Sequence, residues 1–269
     1  MRDALRTAAH QLATISETPR LDAELLMAHA LGITRDALIL SRLDDPTPPG
    51  FDDLLIRRLA HEPVAYITGT RDFWTISLHV APGVLIPRPD SETLIEAAVA
   101  RFARTPGPRS VLDLGTGSGA LLLAALAEWP EATGIGIDAS ETALAIARDN
   151  AARLGMSDRA RIVHGGWSGA GGPHDLILCN PPYIGTDEPL PREVVAWEPA
   201  SALFAGADGL DDYRAIAAVL RPQLAPRGVA CVEIGASQAD DVGALFAAQG
   251  FTVSLARDLA GRARCLVLT

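Results

Sequence analysis

The 269-residue chain contains no lysine, so all 23 of its positively charged side chains are arginines. Without a lysine amine, the chain cannot carry out Schiff-base chemistry. A Walker-type phosphate loop is excluded as well, because its GK[ST] ending needs that residue. The absence of lysine therefore removes two kinds of site from consideration.

Patterns that bind metal are also scarce. The three cysteines each lie inside an apolar run without a CxxC spacing, which favours buried strand residues: Cys179, Cys231 and Cys265. The six histidines are scattered, with no HExxH motif. No metal is expected.

Long apolar runs and an excess of basic charge are missing too. No apolar span of the length that crosses a bilayer occurs, and the N-terminal stretch "MRDALRTAAHQLA" has a helical pattern unlike a signal peptide. We therefore expect a cytoplasmic protein that does not associate with membranes. The net charge of −10 argues against a nucleic-acid-binding protein, because phosphate neutralisation dominates that affinity. The hydrophobic content of 48% is enough for a full core.

Three regions follow one another along the chain. Residues 1–70 show apolar residues at helical spacing, as at Leu21, Leu25 and Leu26, and predict a small helical domain whose last helical segment is "GFDDLLIRRLAHEPVAYITG". Residues 71–90 alternate around an "APG" turn and predict a β-hairpin linker. Residues 91–269 alternate between strand and helix patterns.

That alternation predicts an α/β domain with a mainly parallel sheet covered by helices on both faces. The last two strands, "FTVSLARD" and "RCLVLT", are separated only by "LAGRA". This connection is too short for a helical crossover, so the two strands should pair antiparallel. We expect seven strands, of which the last is reversed.

A glycine-rich turn, "DLGTGSGA", follows the first strand of this domain, where open α/β sheets bind their ligands. Gly115, Gly117 and Gly119 allow a tight turn and a close approach to a ligand. Asp138 ends the second strand and can accept hydrogen bonds from both hydroxyls of a ribose. Gly115, Gly117 and Ala120 also satisfy the dinucleotide pattern GxGxxG/A, so an NAD-dependent oxidoreductase is an alternative.

Two observations count against the oxidoreductase. Asp113, two residues before the first glycine, is expected to put a negative charge near the ligand, which suits a sulfonium better than a pyrophosphate. The second is the stretch "HDLILCNPPYIG", residues 174–185, which has no obvious role in hydride transfer.

This stretch predicts a strand that ends at Asn180, on the same sheet edge as the glycine turn and Asp138. Pro181 and Pro182 make the following loop rigid. The Asn180 side-chain oxygen and the Pro181 carbonyl could then accept both hydrogens of one planar NH2 group, with Tyr183 over its flat face. Such a site selects an amide or an exocyclic amine, and it needs positioning rather than a titratable base.

Several segments together resemble the PrmC/HemK family of release-factor glutamine methyltransferases over nearly the whole chain. They are "YITGTRDFW", "LIPRPDSE", "DLGTGSG", "GIDASETALAIARDNAARLG", "ILCNPPYI" and "EPASALFAGADGLDDYR". The resemblance implies a Rossmann-like methyltransferase fold with S-adenosyl-L-methionine as donor and S-adenosyl-L-homocysteine as product. It implies as substrate the N5 amide of the glutamine in the Gly-Gly-Gln motif of class I peptide chain release factors, with residues 1–70 as the docking domain.

The resemblance also implies roles for individual residues. The donor would be bound by Gly115, Thr116, Gly117, Ser118, Gly119, Asp138 and Asn180, with Trp167 beside the adenine and Phe73 and Arg88 lining the site from the hairpin. Asn180, Pro181, Pro182 and Tyr183 would hold the glutamine amide, and Asn180, Pro181 and Tyr183 would form the catalytic group. A monomer that binds no nucleic acid is expected.

One position departs from the family. Many relatives carry an acidic residue just before the position of Trp167, where it can accept from the adenine amine, whereas this chain has Gly166. Other readings stay open: the same chemistry on a ribosomal protein glutamine, amino-methylation of a nucleic-acid base, an oxidoreductase, or a non-catalytic adaptor. The charge of residues 1–70, which contain 7 Arg and 10 Asp plus Glu, argues against methylation of a nucleic-acid base.

Overall fold

The structure is a computed structural model that describes residues 1–169 and 171–269. The helices are α1 (Arg2–Leu12), α2 (Pro19–Leu31), α3 (Arg35–Ser41), α4 (Phe51–Leu59), α5 (Val64–Thr68), α6 (Glu92–Phe102), α7 (Ala120–Glu128), α8 (Glu141–Arg153), α9 (Arg192–Trp197), α10 (Asp211–Leu220) and α11 (Ala239–Ala247). The strands are β1 (Thr70–Phe73), β2 (Ile76–His79), β3 (Ser110–Leu114), β4 (Thr133–Asp138), β5 (Ala160–His164), β6 (His174–Cys179), β7 (Leu224–Glu233), β8 (Val253–Arg257) and β9 (Ala263–Leu268).

The chain forms two compact units. The first contains residues 1–70 together with 190–197, and the second contains residues 71–189 and 198–269. Apart from Thr70, where β1 begins, the regular elements of the first unit are helices in the residues described, and α9 belongs to it although more than a hundred residues separate α9 from α5.

Helix α2 of the first unit buries acidic as well as apolar side chains. Leu21 is 38% exposed, whereas Ala23, Leu26 and Met27 are fully buried. Acidic side chains on the helix turn inward because arginines of the same unit neutralise them. Asp22 is buried and pairs with Arg58 at 2.8 Å.

The last helical segment of the first unit is broken in two. Helix α4 ends at Leu59, and α5 begins after Pro63. Between them His61 has φ of +67°, a left-handed conformation that interrupts a right-handed helix. The single long segment predicted from the apolar pattern is therefore two short helices.

Arg58 links three elements of the first unit. Its guanidinium lies 2.8 Å from Asp22 on α2 and 2.8 Å from Glu193 on α9. The Arg58 side chain is only 5% exposed, so its charge depends on these two carboxylates rather than on water.

The second unit begins with β1 and β2, which pair in a two-stranded sheet. The turn between them is formed by Trp74 and Thr75, not by the predicted "APG" at residues 81–83. Trp74 adopts φ of +54°, and its backbone N–H donates to Glu92 at 2.9 Å. The Glu92 carboxylate, 18 residues away, thus stabilises a turn that the local sequence does not predict.

The main sheet has the strand order β5-β4-β3-β6-β7-β9-β8. Its pairings are parallel from β5 to β7, whereas β9 pairs antiparallel with both β7 and β8. The predicted α/β class, seven-stranded sheet and antiparallel last pair are confirmed. The last strand lies between β7 and β8, and the five-residue link from β8 accounts for its antiparallel pairing with that strand.

Successive residues of the central strands face opposite sides of the sheet. Leu176 and Leu178 of β6 pack with the core that includes α6, α7 and α8, whereas Ile177 and Cys179 pack with the core that includes α10 and α11. The three cysteines are free and buried, as predicted.

Parallel register aligns the strand ends that matter for binding. Leu114 of β3 pairs with Ile137 of β4 on one side and with Cys179 of β6 on the other. Gly115, Asp138 and Asn180 follow these three residues directly, so they meet at one edge of the sheet. In the part of the chain that the structure describes, no helix is long and apolar enough to cross a membrane.

Candidate active site

A cavity of about 520 Å³ opens at this edge of the sheet. Its volume is within the range of small-molecule sites. The predicted site residues that line it are Phe73, Gly115, Thr116, Gly117, Ser118, Asp138, Trp167, Asn180 and Pro182. Four others lie outside its lining: Arg88, Gly119, Pro181 and Tyr183.

The glycine turn needs glycine at two of its positions for different reasons. Gly117 has φ of +55°, which side-chain-bearing residues rarely adopt. Gly115 has φ of +72°, and a Cβ there would also lie 3.3 Å from the Trp167 ring. The turn is therefore shaped both by backbone conformation and by the aromatic residue packed against it.

Asp138 fixes the other side of the turn. Its two carboxylate oxygens accept from the backbone N–H of Gly117 at 2.9 Å and of Ser140 at 2.8 Å. A carboxylate has about four acceptor sites, so Asp138 can still accept hydroxyl hydrogens from a ligand in the cavity. The residue both shapes the turn and presents acceptors to the cavity.

Asp113 lies beneath the turn rather than beside the ligand, contrary to the prediction. It is 1% exposed and accepts from the Thr116 hydroxyl at 2.6 Å and from the Leu122 N–H at 3.2 Å. Burial is the main cause that raises the pKa of Asp113 to about 7. The carboxyl group thus braces the turn against α7 and does not supply a fixed negative charge to the cavity wall.

Trp167 is held by an acidic residue that the sequence pattern did not single out. Its indole N–H donates to Asp212 on α10 at 2.9 Å, and Asp212 also lines the cavity. Burial raises the pKa of Asp212, and the Trp167 hydrogen bond acts against this. Gly166 lines the cavity as well, with open space where a Cβ would be. The carboxylate at this end of the cavity therefore comes from α10.

Asn180 is oriented by a serine from a distant segment. Its Nδ2 donates to Ser91 Oγ at 3.2 Å, across 89 positions of sequence. With the nitrogen committed to Ser91, the side-chain oxygen is left as the acceptor that Asn180 can offer to the cavity. Asn180 can therefore bind an N–H donor.

The rest of the "NPPY" segment forms the support behind Asn180. Pro182 lines the cavity, whereas Pro181 is buried. Tyr183 packs partly buried against the α10–α11 core, and its hydroxyl lies 3.4 Å from the Glu233 carboxylate. The sequence predicts that the Tyr183 ring covers the flat face of a bound amide. In the structure Tyr183 packs against the α10–α11 core and does not line the cavity.

Arg88 is engaged away from the cavity. Its guanidinium pairs with Glu198, and the same carboxylate accepts from the Ile86 N–H at 3.1 Å. Gly119, which the structure also leaves outside the cavity lining, is the first residue before α7 and has φ of +85°. Both residues shape segments that line the cavity: Gly83–Pro87 and Gly115–Ser118.

Sequence reasoning missed several residues of this site, among them Ser91, Asp212 and Glu233. Ser91 and Asp212 lie within two of the segments that carry the family resemblance, "LIPRPDSE" and "EPASALFAGADGLDDYR", but the resemblance assigns neither of them a role. Glu233 could have been suspected, since a carboxyl group that ends the apolar strand "GVACVE" lies at the ligand-binding edge of the sheet. For Ser91 and Asp212 only the tertiary contacts reveal the role.

Comparison with known proteins agrees with both parts of the chain. The family model for the PrmC N-terminal domain matches residues 3–69, and that for the methyltransferase small domain matches residues 91–195. The release factor glutamine methyltransferase of Rhodospirillum rubrum is 44% identical over 258 residues, covering 93% of this chain and 79% of the relative. That of Cereibacter sphaeroides is 46% identical over 272 residues, covering 97% and 95%.

A crystal structure of a methyltransferase from Pyrococcus furiosus resembles the fold, with a TM-score of 0.56 and 18% identity. The match covers 81% of this chain and 97% of that one. The cavity is lined by the glycine turn, the Asp138 carboxylate and the Trp167 ring, and such a lining fits a methyl donor that carries a nucleoside. Since most of the length of both sequence relatives is covered at these identities, this chain is a methyltransferase that belongs to the release factor glutamine methyltransferase family.

Proposed function

We propose that the chain transfers a methyl group from S-adenosyl-L-methionine to the side-chain N5 of the glutamine in the Gly-Gly-Gln motif of class I peptide chain release factors. The observation that carries the proposal is the Asn180 amide, whose nitrogen is bound to Ser91 while its oxygen is available at the cavity. A side-chain oxygen held in this way can accept a hydrogen bond from the NH2 group of a substrate amide.

The donor would be held along the glycine turn. Asp138 accepts the ribose hydroxyls, and the backbone of residues 115–118 approaches the amino-acid end of the donor. Trp167 packs beside the adenine, and Phe73 closes the wall formed by the hairpin. These residues line one continuous cavity in the second unit. When bound, S-adenosylmethionine supplies a positively charged sulfonium with an electrophilic methyl group.

The protein contributes orientation and exclusion of water. The Asn180 oxygen accepts a hydrogen of the glutamine NH2 so that its nitrogen points at the methyl carbon. The N–C bond forms as the S–C bond breaks, and the methylated amide then loses one proton to water. Correct orientation can contribute roughly 7–11 kcal/mol to such a transfer, so no side chain has to remove a proton beforehand.

The choice of a protein substrate is supported by charge and by family membership. Residues 1–70 are net acidic, which opposes a grip on nucleic acid, and we assign them to docking of the release factor. The family relatives are named for that substrate. We further propose that the chain acts as a monomer in the cytoplasm, where release factors work.

Transfer of a labelled methyl group from S-adenosylmethionine tests the proposal. Four substrates are offered in parallel: purified release factor, the same factor with its Gly-Gly-Gln glutamine replaced, ribosomal protein, and DNA. We expect label on the intact release factor alone, and mass spectrometry of the labelled peptide places it on the glutamine.

The other outcomes each contradict one part of the proposal. Label on ribosomal protein or DNA would show that the proposed substrate is wrong, whereas the proposed role of Asn180 would remain. Binding of the donor without transfer to any substrate would favour an adaptor. Failure to bind the donor, with binding of NAD instead, would favour an oxidoreductase.

A further inference from the structure

Glu233 occupies a position beside Asn180 that the transfer reaction described above does not use. Cys179 of β6 pairs with Val232 of β7, so the next residues of the two strands, Asn180 and Glu233, are neighbours at the sheet edge. Glu233 is 1% exposed, and its Oε2 atom has no hydrogen-bond partner among the described residues. A buried carboxyl group with an unused oxygen is costly, so its presence calls for a function.

Two members of the "NPPY" segment converge on this carboxyl group by separate routes. The Tyr183 hydroxyl lies 3.4 Å from Glu233 Oε1. Asn180 reaches Glu233 through Ser91, whose Oγ accepts from Asn180 Nδ2 at 3.2 Å and whose hydroxyl acts against the rise in the pKa of the neighbouring Glu233 carboxyl group.

Ser91 ends a short 3-10 turn, Pro89–Ser91, that continues directly into α6. Its φ of −68° and ψ of −17° are helical, and its side chain makes no capping bond to the backbone. The Ser91 hydroxyl is therefore available to accept from Asn180.

We propose that Ser91 and Glu233 are positioning residues that set the orientation of the Asn180 amide, with ionised Glu233 drawing the Ser91 proton so that Ser91 accepts from Asn180 Nδ2. The Asn180 oxygen is thereby held toward the cavity for the substrate amide. This inference rests on the proposed function, because it describes how the same site orients its acceptor. Neither residue touches the reacting atoms.

The arrangement depends on the charge of Glu233. Burial is the main cause that raises the pKa of Glu233 to about 7, and Asp90 raises it further, while Ser91, Arg264 and Tyr183 oppose this shift. Protonated Glu233 can donate to Ser91, which removes its demand for the Ser91 proton. The charged and titratable groups facing Glu233 are Tyr183, Tyr213, Asp90, Arg264, Cys179 and Cys265.

The chain offers a direct probe of the Asn180 amide. It contains two asparagines, Asn150 and Asn180, so labelling with ¹⁵N-asparagine gives two side-chain NH2 groups in the NMR spectrum. Asn150 donates to the backbone oxygens of His79 and Ser118 and serves as the internal reference. Spectra of the full chain with S-adenosylhomocysteine are recorded from well below to well above pH 7, and Asn180→Ala assigns the signals.

We expect the Asn180 NH2 signals to shift with a midpoint near the pKa of Glu233. Glu233→Gln should abolish this shift without changing the pH response of Asn150, and Ser91→Ala should uncouple Asn180 in the same way. A flat Asn180 response in the unmodified chain would overturn the inference. So would a titration that survives in Glu233→Gln, which would point to Asp113, whose pKa is also raised to about 7.

Kinetics give a second readout. Glu233→Gln and Ser91→Ala should lower kcat by up to about 100-fold while KM for the donor changes little, since only the orientation of the acceptor is lost. Ser91→Thr, which keeps the hydroxyl, should restore most of kcat. Ser110→Ala is the matched control and should leave kcat unchanged. This substitution removes comparable hydrogen bonds to Asp175, but at the end of β3 that lies away from the cavity.

The pH profile separates this role from a merely structural one. In the unmodified chain kcat should rise with pH through about 7, and this rise should be missing in Glu233→Gln. Equal kcat and an unchanged profile in both variants would refute the inference. If the unmodified chain methylates no release factor, the proposed function fails on its own, whereas the Asn180 titration still tests the Ser91–Glu233 contact.

Discussion

At the scale of single residues, methyl transfer depends on the Asn180 side-chain oxygen as a hydrogen-bond acceptor. Replacing Asn180 by Ala should leave donor binding nearly unchanged, because the donor is held mainly by the glycine turn and Asp138. The rate of transfer should fall by about 100-fold or more, since the nucleophile is no longer oriented. Calorimetry with S-adenosylmethionine and single-turnover methylation measure the two quantities separately, and a variant that retains the full rate would contradict the role given to Asn180.

Asp138 should show the opposite division of effects. In Asp138→Ala the ribose loses its acceptor, and the Gly117 and Ser140 N–H groups lose theirs. Hydrogen bonds to a charged group contribute about 1.5–3 kcal/mol, so donor affinity should fall by about ten- to a hundredfold. With saturating donor, kcat should recover much more than it does in Asn180→Ala. An unchanged Kd for the donor would remove Asp138 from the binding site.

The buried carboxyl of Asp113 should make stability depend on pH. Its pKa is raised to about 7 in the folded chain, well above its value of 3.8 when exposed, so the folded state retains a proton that the unfolded state loses. Between these two values stability falls as pH rises, by up to about 1.4 kcal/mol per pH unit. Above the folded pKa the loss is complete.

Asp113→Asn removes this particular dependence. As pH rises from about 4 to about 7, the free energy of unfolding of the unmodified chain should therefore fall relative to that of the variant. Urea unfolding at several pH values provides the measurement. Parallel pH dependence of the two chains would show that Asp113 stays ionised throughout.

At the scale of elements, the ion pairs of Arg58 hold α2, α4 and α9 together in the first unit. Arg58→Ala would leave Asp22 buried without its counter-charge, which typically costs about 3–5 kcal/mol. The thermal transition of the first unit should fall accordingly in calorimetry. Arg6→Ala is the control, because Arg6 and Asp3 are 80% and 88% exposed and such pairs contribute about 0–1 kcal/mol. Equal effects of the two substitutions would rule out a special role for Arg58.

The elements also show which parts of the fold could be predicted. The sheet of the second unit follows from its apolar strands and from the five-residue link before β9, because local pattern and chain length decide it. The position of the hairpin turn could not be predicted, since the Trp74 turn is supported by Glu92 from another element. The burial of acidic side chains on α2 could not be predicted either, because it depends on distant arginines.

The same limit applies to the site. The glycine turn, Asp138, Trp167 and Asn180 carry local motifs, and all of them line the cavity. Ser91 and Asp212 act through contacts across 89 and 45 positions of sequence, so no local pattern assigns their roles. Glu233 ends an apolar strand, and this position is the one local signal that could have pointed to it. Asp113 carries a local signal, but its depth below the turn depends on the packing of α7.

At the scale of the whole molecule, the net charge of −10 argues against nucleic acid as a substrate. Non-specific binders usually have Kd values of about 10⁻⁴ to 10⁻⁶ M at physiological salt, a strength supplied by basic side chains. We expect weaker binding than this for duplex DNA in a fluorescence anisotropy titration. Micromolar binding that weakens steeply with salt would instead favour methylation of a base.

The assignment of residues 190–197 to the first unit has a consequence for biosynthesis. A ribosome completes residues 1–70 long before α9 is made, so Arg58 has Asp22 but lacks Glu193 while β1 to β6 are being synthesised. The first unit therefore reaches its final form only after β6 and the following Asn180 have been synthesised. No single cut in the chain separates the two units, and a fragment of residues 71–269 would carry α9 without the helices that it packs with in the intact protein.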